Sequence, residues 1–226
     1  MLICKWDKLP KNLQLDEVKP YWEKLRKRNW NLFWKRVFDI VISGIFLILL
    51  SPLFLILAIL IKIDSKGPVF YRQVRITQYG KNFRIHKFRS MTVGADKGSL
   101  VTVKNDTRVT RIGKVIRKCK LDELSQLIDV FIGTMTFVGT RPEVEKYVSS
   151  YSNEMLATLL LPAGITSLAS VKFKDENELI DNAKDVDKVY IENVLPEKMK
   201  YNLEELTKEG MFHDIKVIIM TVLAIF

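Results

Sequence analysis

Residues 35–66 read KRVFDIVISGIFLILLSPLFLILAILIKIDSK. Between positions 40 and 61 no side chain is charged, and a hydrocarbon core needs roughly 20 such residues. Ser51-Pro52 stands in the middle. Proline removes a backbone donor and clashes with the preceding turn, so a helix kinks or breaks there. A straight span concentrates positive charge on its cytoplasmic flank. Here both flanks are basic, with Lys24, Arg26, Lys27, Arg28, Lys35 and Arg36 before and Lys62, Lys66, Arg72 and Arg75 after. This pattern predicts a re-entrant helix–break–helix whose ends share one membrane face. A proline-kinked spanning helix is the competing reading. A break leaves carbonyls unpaired in lipid, and Ser51 is placed to bond back to one of them. Asp39 is expected near the polar surface beside Arg36. The run lies too far from the N-terminus, and lacks the small-residue cleavage site, for a signal peptide.

Outward from this segment, the chain of 226 residues carries a formal charge of +10 and is 48% apolar. About 160 residues follow the membrane segment, enough for one compact domain with its own core. The basic excess bears on partners rather than fold. It fits nucleic acid, anionic lipid or phosphorylated small molecules, and the membrane segment favours the last two. No glycine-rich phosphate cradle precedes the acidic motif described below, which argues against a nucleic-acid enzyme. Cys4 and Cys119 form neither a disulfide framework nor a zinc spacing, as in a reducing compartment. No internal repeat is visible, and a homo-oligomer is left open.

Residues 1–34 are basic and rich in Trp and Tyr, which favour the membrane–water boundary. An interfacial helix is predicted over 19–34, with a soluble helix packed on the domain as the alternative. Two β-branched, aromatic runs, VFYRQVRI and NFRIHKFRSM, flank Gly80 and predict an antiparallel hairpin whose polar positions include Arg72, Arg75, Arg84, Lys87 and Arg89. Residues 93–107 read as a loop, and 108–119 as an amphipathic helix with a basic face that includes Arg117. A strand-like piece precedes Gly139, and Pro142 holds Arg141 in an extended backbone. LLLPAGITSLASVKF reads as a turn with a strand-like tail. Residues 175–209 are helical in pattern with a break at Pro196, and the apolar tail from Asp214 reads as a core or lipid-surface helix. The expected fold class is α+β: mainly helical with a small antiparallel sheet, preceded by the re-entrant anchor and interfacial helices. The expected division is 1–34, 35–66 and a catalytic domain 67–226.

In KLDELSQLIDVFIG the apolar positions trace one helical face, which puts Asp122 and Glu123 on the first turn of a helix. First-turn carboxylates are commonly plain partners of the helix dipole. Here Arg117, Lys118 and Lys120 precede them and Arg141 follows. Two adjacent carboxylates bracketed by cations can share Mg²⁺ with a diphosphate, and an ionised aspartate can act as a nucleophile.

These pieces together resemble the bacterial sugar transferases that act as monotopic phosphoglycosyl transferases. The resemblance rests on KRVFDIVIS, the LLSPL break, KFRSM, DTRVTRIGKVIRK, LDELSQL and MTFVGTRPEVEKYV, in the family's order. It implies a re-entrant helix centred on Ser51-Pro52 in the inner cell membrane and a catalytic domain on the cytoplasmic face. It also implies transfer of a phosphosugar from a nucleotide-diphosphate sugar, usually a UDP-sugar, to polyprenol phosphate with release of UMP. By position, Asp122 would be the nucleophile, and Glu123 would help hold Mg²⁺ or position the acceptor. Arg117 and Arg141 would bind phosphate or nucleotide, with Lys87, Arg89 and Pro142 as further substrate-site candidates. The chain departs from the family pattern at Lys120 (usually Ser or Thr), Ser125 (usually Pro) and Thr140 (usually Pro), and at Ala163 and Ser167 in the PGITG motif. A membrane-anchored, non-enzymatic basic domain is the alternative, and an enzyme moving the sugar alone would release UDP.

Overall fold

A computed structural model describes residues 2–95, 106–174, 185–208 and 210–225. The apolar run forms two helices, α2 (Asn29–Leu49) and α3 (Ser51–Asp64), bent by 61° at the break. Among the described residues no single helix is long and apolar enough to cross a membrane. Pro52 has no N–H to offer Ile48, one turn back. The Ser51 hydroxyl donates to that carbonyl instead, at 2.7 Å. Ile45, Ile48, Leu49, Leu55, Ile56 and Ile63 are exposed around the bend. Ten residues from Ile40 to the break rise about 15 Å, near half of a hydrocarbon core.

Before that stretch, one face of α2 is buried against the rest of the chain. Lys35 is 1% and Asp39 0% exposed, which corrects the expected placing of Asp39 at the polar surface. Lys35 Nζ reaches Asp214 at 2.5 Å and the Val138 carbonyl at 2.8 Å. Asp39 accepts from the Thr136 hydroxyl at 2.7 Å, and Arg36 donates to the Val130 carbonyl at 2.6 Å and the Phe131 carbonyl at 2.8 Å. Removing charge from water needs such compensation. The helix expected over 19–34 is interrupted: α1 (Lys19–Lys27) ends before Arg28, whose backbone is not helical. Ile3, Leu9, Val18, Leu25 and Leu32 are buried against Leu160, Leu161 and Leu206, so the N-terminal segment packs on the domain. Trp30 and Trp34 remain exposed.

The predicted hairpin is present: β1 (Phe70–Thr77) pairs antiparallel with β2 (Lys81–Phe88) from Phe70↔Phe88 to Thr77↔Lys81. A second, two-stranded sheet is parallel, joining β3 (Met135–Val138) to β4 (Ala163–Thr166). It depends on a close backbone crossing, where a Cβ on Gly164 would lie 2.2 Å from the Gly139 nitrogen. The helices after β2 are α4 (Arg111–Lys118), α5 (Gln126–Ile132) and α6 (Glu145–Val148). The tail expected to be strand-like after β4 is instead helix α7 (Leu168–Lys172), because the Ser167 hydroxyl caps it by accepting from the Ser170 N–H. Then come α8 (Val186–Val189), a π-helical turn (Tyr190–Val194), α9 (Leu195–Lys208) and α10 (Met211–Ile225). The break expected at Pro196 is not present: the backbone stays helical through Leu195 (φ −59°, ψ −46°), and the π turn passes directly into α9, whose second residue is Pro196. Most of the loop expected over 93–107, and residues 175–184 and 209 of the expected helical stretch, lie outside the described residues. Helix α10 packs on α2, β3 and β4 while Phe212, Ile219 and Leu223 stay exposed.

Candidate active site

Four elements bring the predicted residues together. Helix α4 is capped at its start by the Thr110 hydroxyl, which accepts from the Gly113 N–H. It lies so close to the end of β2 that a Cβ on Gly113 would meet the Ser90 carbonyl at 2.0 Å. At its far end Lys120 adopts left-handed φ 55°, ψ 22°, the reversal that commonly ends a helix and that glycine usually supplies. The reversal folds Leu121–Glu123 back as a 3-10 turn ahead of α5. Asp122 and Glu123 therefore occupy a separate turn, not the first turn of the α-helix that the sequence predicts.

Glu123 is enclosed by cations. Lys87 from β2 donates to it at 3.0 Å, and Arg141, presented from the turn after β3, forms an ion pair with it. Burial raises the Glu123 carboxyl, but Arg141 and Lys87 together outweigh it and hold the group well below the usual carboxylate range. Asp122 differs. Burial raises its pKa above the ordinary aspartate value and the Glu123 charge raises it further, with Lys87 and Arg117 opposing. Among the described residues no side chain forms an ion pair with Asp122, and Arg117 has no hydrogen-bond or ion-pair partner.

Asp122 and Arg117 share a cavity of about 510 Å³, whose other walls include Tyr71, Arg72, Arg75 and Lys87. This volume suits a small-molecule ligand, and its cationic walls suit an anionic one. Arg75 is held in place by Gln73, at 2.8 Å, and by the Pro142 carbonyl at 3.1 Å. Pro142 is buried, and its contact with the site is the carbonyl that accepts from Arg75. Arg89 also lines the cavity, yet its guanidinium donates to the Lys66 carbonyl at 2.7 Å and the Ser65 carbonyl at 2.6 Å, at the C-terminal end of α3. Tyr71 and Gln73 escaped the sequence reading. Alternation along β1, which turns 71, 73 and 75 to one face, was the signal that could have found them.

The described residues contain no group of three or more His, Cys, Asp or Glu side chains that could hold a metal. What the site offers is two carboxylates, one of them already neutralised by cations. That donor set fits Mg²⁺ only where substrate phosphates complete the coordination, as they do in many Mg²⁺ sites.

A bent pair of apolar helices, joined to a cationic cavity whose carboxylate has no ion pair among the described residues, defines a protein with an anion-handling site. The sequence model for bacterial sugar transferase matches residues 30–226, and the chain belongs to that family. It is 33% identical over 171 residues, 73% of its length, to a UDP-glucose:undecaprenyl-phosphate glucose-1-phosphate transferase of Xanthomonas campestris pv. campestris. It is 36% identical over 172 residues, 74% of its length, to a protein of the same name from Klebsiella pneumoniae. It is also 43% identical over 99 residues, 43% of its length, to a UDP-N-acetylgalactosamine-undecaprenyl-phosphate N-acetylgalactosaminephosphotransferase of Aeromonas hydrophila. The aligned parts span 33%, 34% and 23% of those relatives' own lengths.

Proposed function

We propose that this protein transfers a phosphosugar from a UDP-sugar to a polyprenol phosphate at the cytoplasmic face of the cell membrane. The observation that carries the reading is the division of labour between neighbours: Glu123 is neutralised by Lys87 and Arg141, while Asp122 faces the cavity with no ion pair among the described residues. In the first step an Asp122 carboxylate oxygen attacks the β-phosphorus. The bond from that phosphorus to the bridging oxygen breaks, and UMP leaves with the bridging oxygen. In the second step a phosphate oxygen of the polyprenol phosphate attacks the same phosphorus. The bond to Asp122 breaks, giving polyprenyl diphosphosugar and the free aspartate. Arg117 and Lys87 offset the repulsion between an anionic nucleophile and a diphosphate, the main electrostatic obstacle in phosphoryl transfer. Mg²⁺, held by Asp122 and Glu123 together with donor phosphates, would neutralise further charge on the leaving group. Pro142 and Arg89 act in this reading as supports, through the contacts already described.

The test is to incubate the membrane-embedded protein with Mg²⁺, polyprenol phosphate and a panel of UDP-sugars, and to identify the released nucleotide. UMP release that disappears in Asp122→Asn is expected. UDP release would mean that the sugar moves alone, and wild-type turnover in Asp122→Asn would remove Asp122 from the chemistry. We further propose that α2 and α3 form a re-entrant hairpin. In a background lacking Cys4 and Cys119, cysteines introduced at Trp34 and Lys66 should both react from the cytoplasmic side. Reaction from opposite sides would show a spanning helix instead.

A further inference from the structure

Ser125 lies at the N-cap of α5, where a serine hydroxyl ordinarily accepts from its own helix. It makes no such bond here. The side chain is 0% exposed, and its hydroxyl turns away to donate to the His86 carbonyl of β2 at 3.0 Å, with the Asp122 carbonyl at 3.3 Å. One turn later on α5, Asp129, 1% exposed, accepts from the His86 N–H at 2.8 Å and from the His86 ring at 2.8 Å. Among the described residues, strand β2 has β1 on one side only, so its other edge presents N–H and C=O groups that need partners outside the sheet. At His86 both are met by α5, four positions apart. The next residue, Lys87, is the one that pairs with Glu123.

We propose that Ser125 is a positioning residue, whose hydroxyl ties the Asp122–Glu123 turn to the edge of β2 and so fixes Glu123 against Lys87 and the Asp122 carboxylate in the cavity. The φ of −65° at Ser125 is one a proline ring would also adopt. Proline, usual here in the pattern this chain resembles, would keep that φ but could offer the His86 carbonyl no donor. In this chain a hydrogen bond holds the turn. The kinetic consequence rests on the proposed phosphosugar transfer; the structural consequence rests on geometry alone.

The experiment compares full-length wild type and Ser125→Ala in nanodiscs, by peptide-resolved hydrogen exchange and by UMP release. In Ser125→Ala the peptide spanning 119–125 is expected to exchange several-fold faster, with β3 and β4 unchanged. The turnover number is expected to fall about tenfold, since small misplacements of reacting groups act strongly on rate, with the donor KM changed less than about twofold. Unchanged exchange at the turn overturns the proposal. Acceleration spread evenly over all peptides overturns it too, as it would show a general loss of stability. Local acceleration with wild-type turnover shows that the tie does not serve the chemistry. If wild type releases no UMP, the transferase reading fails by itself, and exchange alone decides whether the tie exists.

Discussion

The molecule gathers charge at two places and surrounds it differently. Where α2 meets β3 and α10, Lys35, Asp39 and Asp214 are each no more than 1% exposed, with Lys35 bonded to Asp214 and the Val138 carbonyl and Asp39 to Thr136. Where β2 meets the turn before α5, Lys87, Glu123 and Arg141 keep partial exposure, with 22%, 25% and 38% of each side chain accessible. There Asp122 and Arg117 face a cavity. The closed cluster fastens α2 to the strand that leads into Arg141. Among the described residues the open one leaves a carboxylate and a guanidinium without an ion pair at a cavity wall, an arrangement a fold does not need but a ligand can use. Charge that is satisfied internally reads as architecture, and charge left facing a cavity reads as chemistry.

That contrast is broken most directly by removing one charge from each cluster. Asp122→Asn is expected to reduce UMP release by at least about a thousandfold, as loss of a nucleophile does, with the folded protein intact by thermal melting. Lys35→Met is expected to do the reverse. It leaves buried carboxylates without their cation, a change that destabilises by roughly 3–5 kcal/mol. Melting in detergent should show it as a lowered midpoint, partly restored in the double variant Lys35→Met/Asp214→Asn. A Lys35→Met protein as stable as wild type would mean that the closed cluster does not fasten the hairpin.

The open cluster was largely legible in the sequence and the closed one was not. Asp122, Glu123, Arg117, Lys87 and Arg141 stand out as cations and carboxylates in segments that already read as a site, and the structure brings all five together. The β1–β2 hairpin and the Ser51-Pro52 break were legible for a similar reason, since alternation and proline are local signals. Lys35 and Asp39 read as flanking polar residues because their partners, Asp214 and Thr136, lie 179 and 97 positions away. The parallel β3–β4 pair was missed on the same ground: each strand has four residues, and their pairing depends on a glycine crossing. Arg89 shows the converse. Its motif suggests phosphate, while its guanidinium lies on the Ser65 and Lys66 carbonyls that follow α3.

A smaller effect sharpens the contrast within the open cluster itself. Burial, followed by the Glu123 charge, holds the Asp122 pKa above its ordinary value. An aspartate nucleophile must be ionised, so activity should be lost as pH falls through a value higher than that of an ordinary aspartate, near 3.9. Ionised Asp122 also opposes folding: it carries no penalty at low pH, and the penalty develops as pH rises through the raised folded pKa. Glu123→Gln removes one of the two causes, and it releases Lys87 and Arg141 from their carboxylate, leaving Lys87 closer in effect to Asp122. Both changes favour the ionised form. The acid limb of kcat/KM for UMP release should therefore move to lower pH in Glu123→Gln, even as the maximal rate falls through loss of the group that aligns Lys87 and Arg141. An acid limb that stays in place would assign it to a group other than Asp122, and one that moves to higher pH would mean that Glu123 helps Asp122 ionise by holding the cations near it.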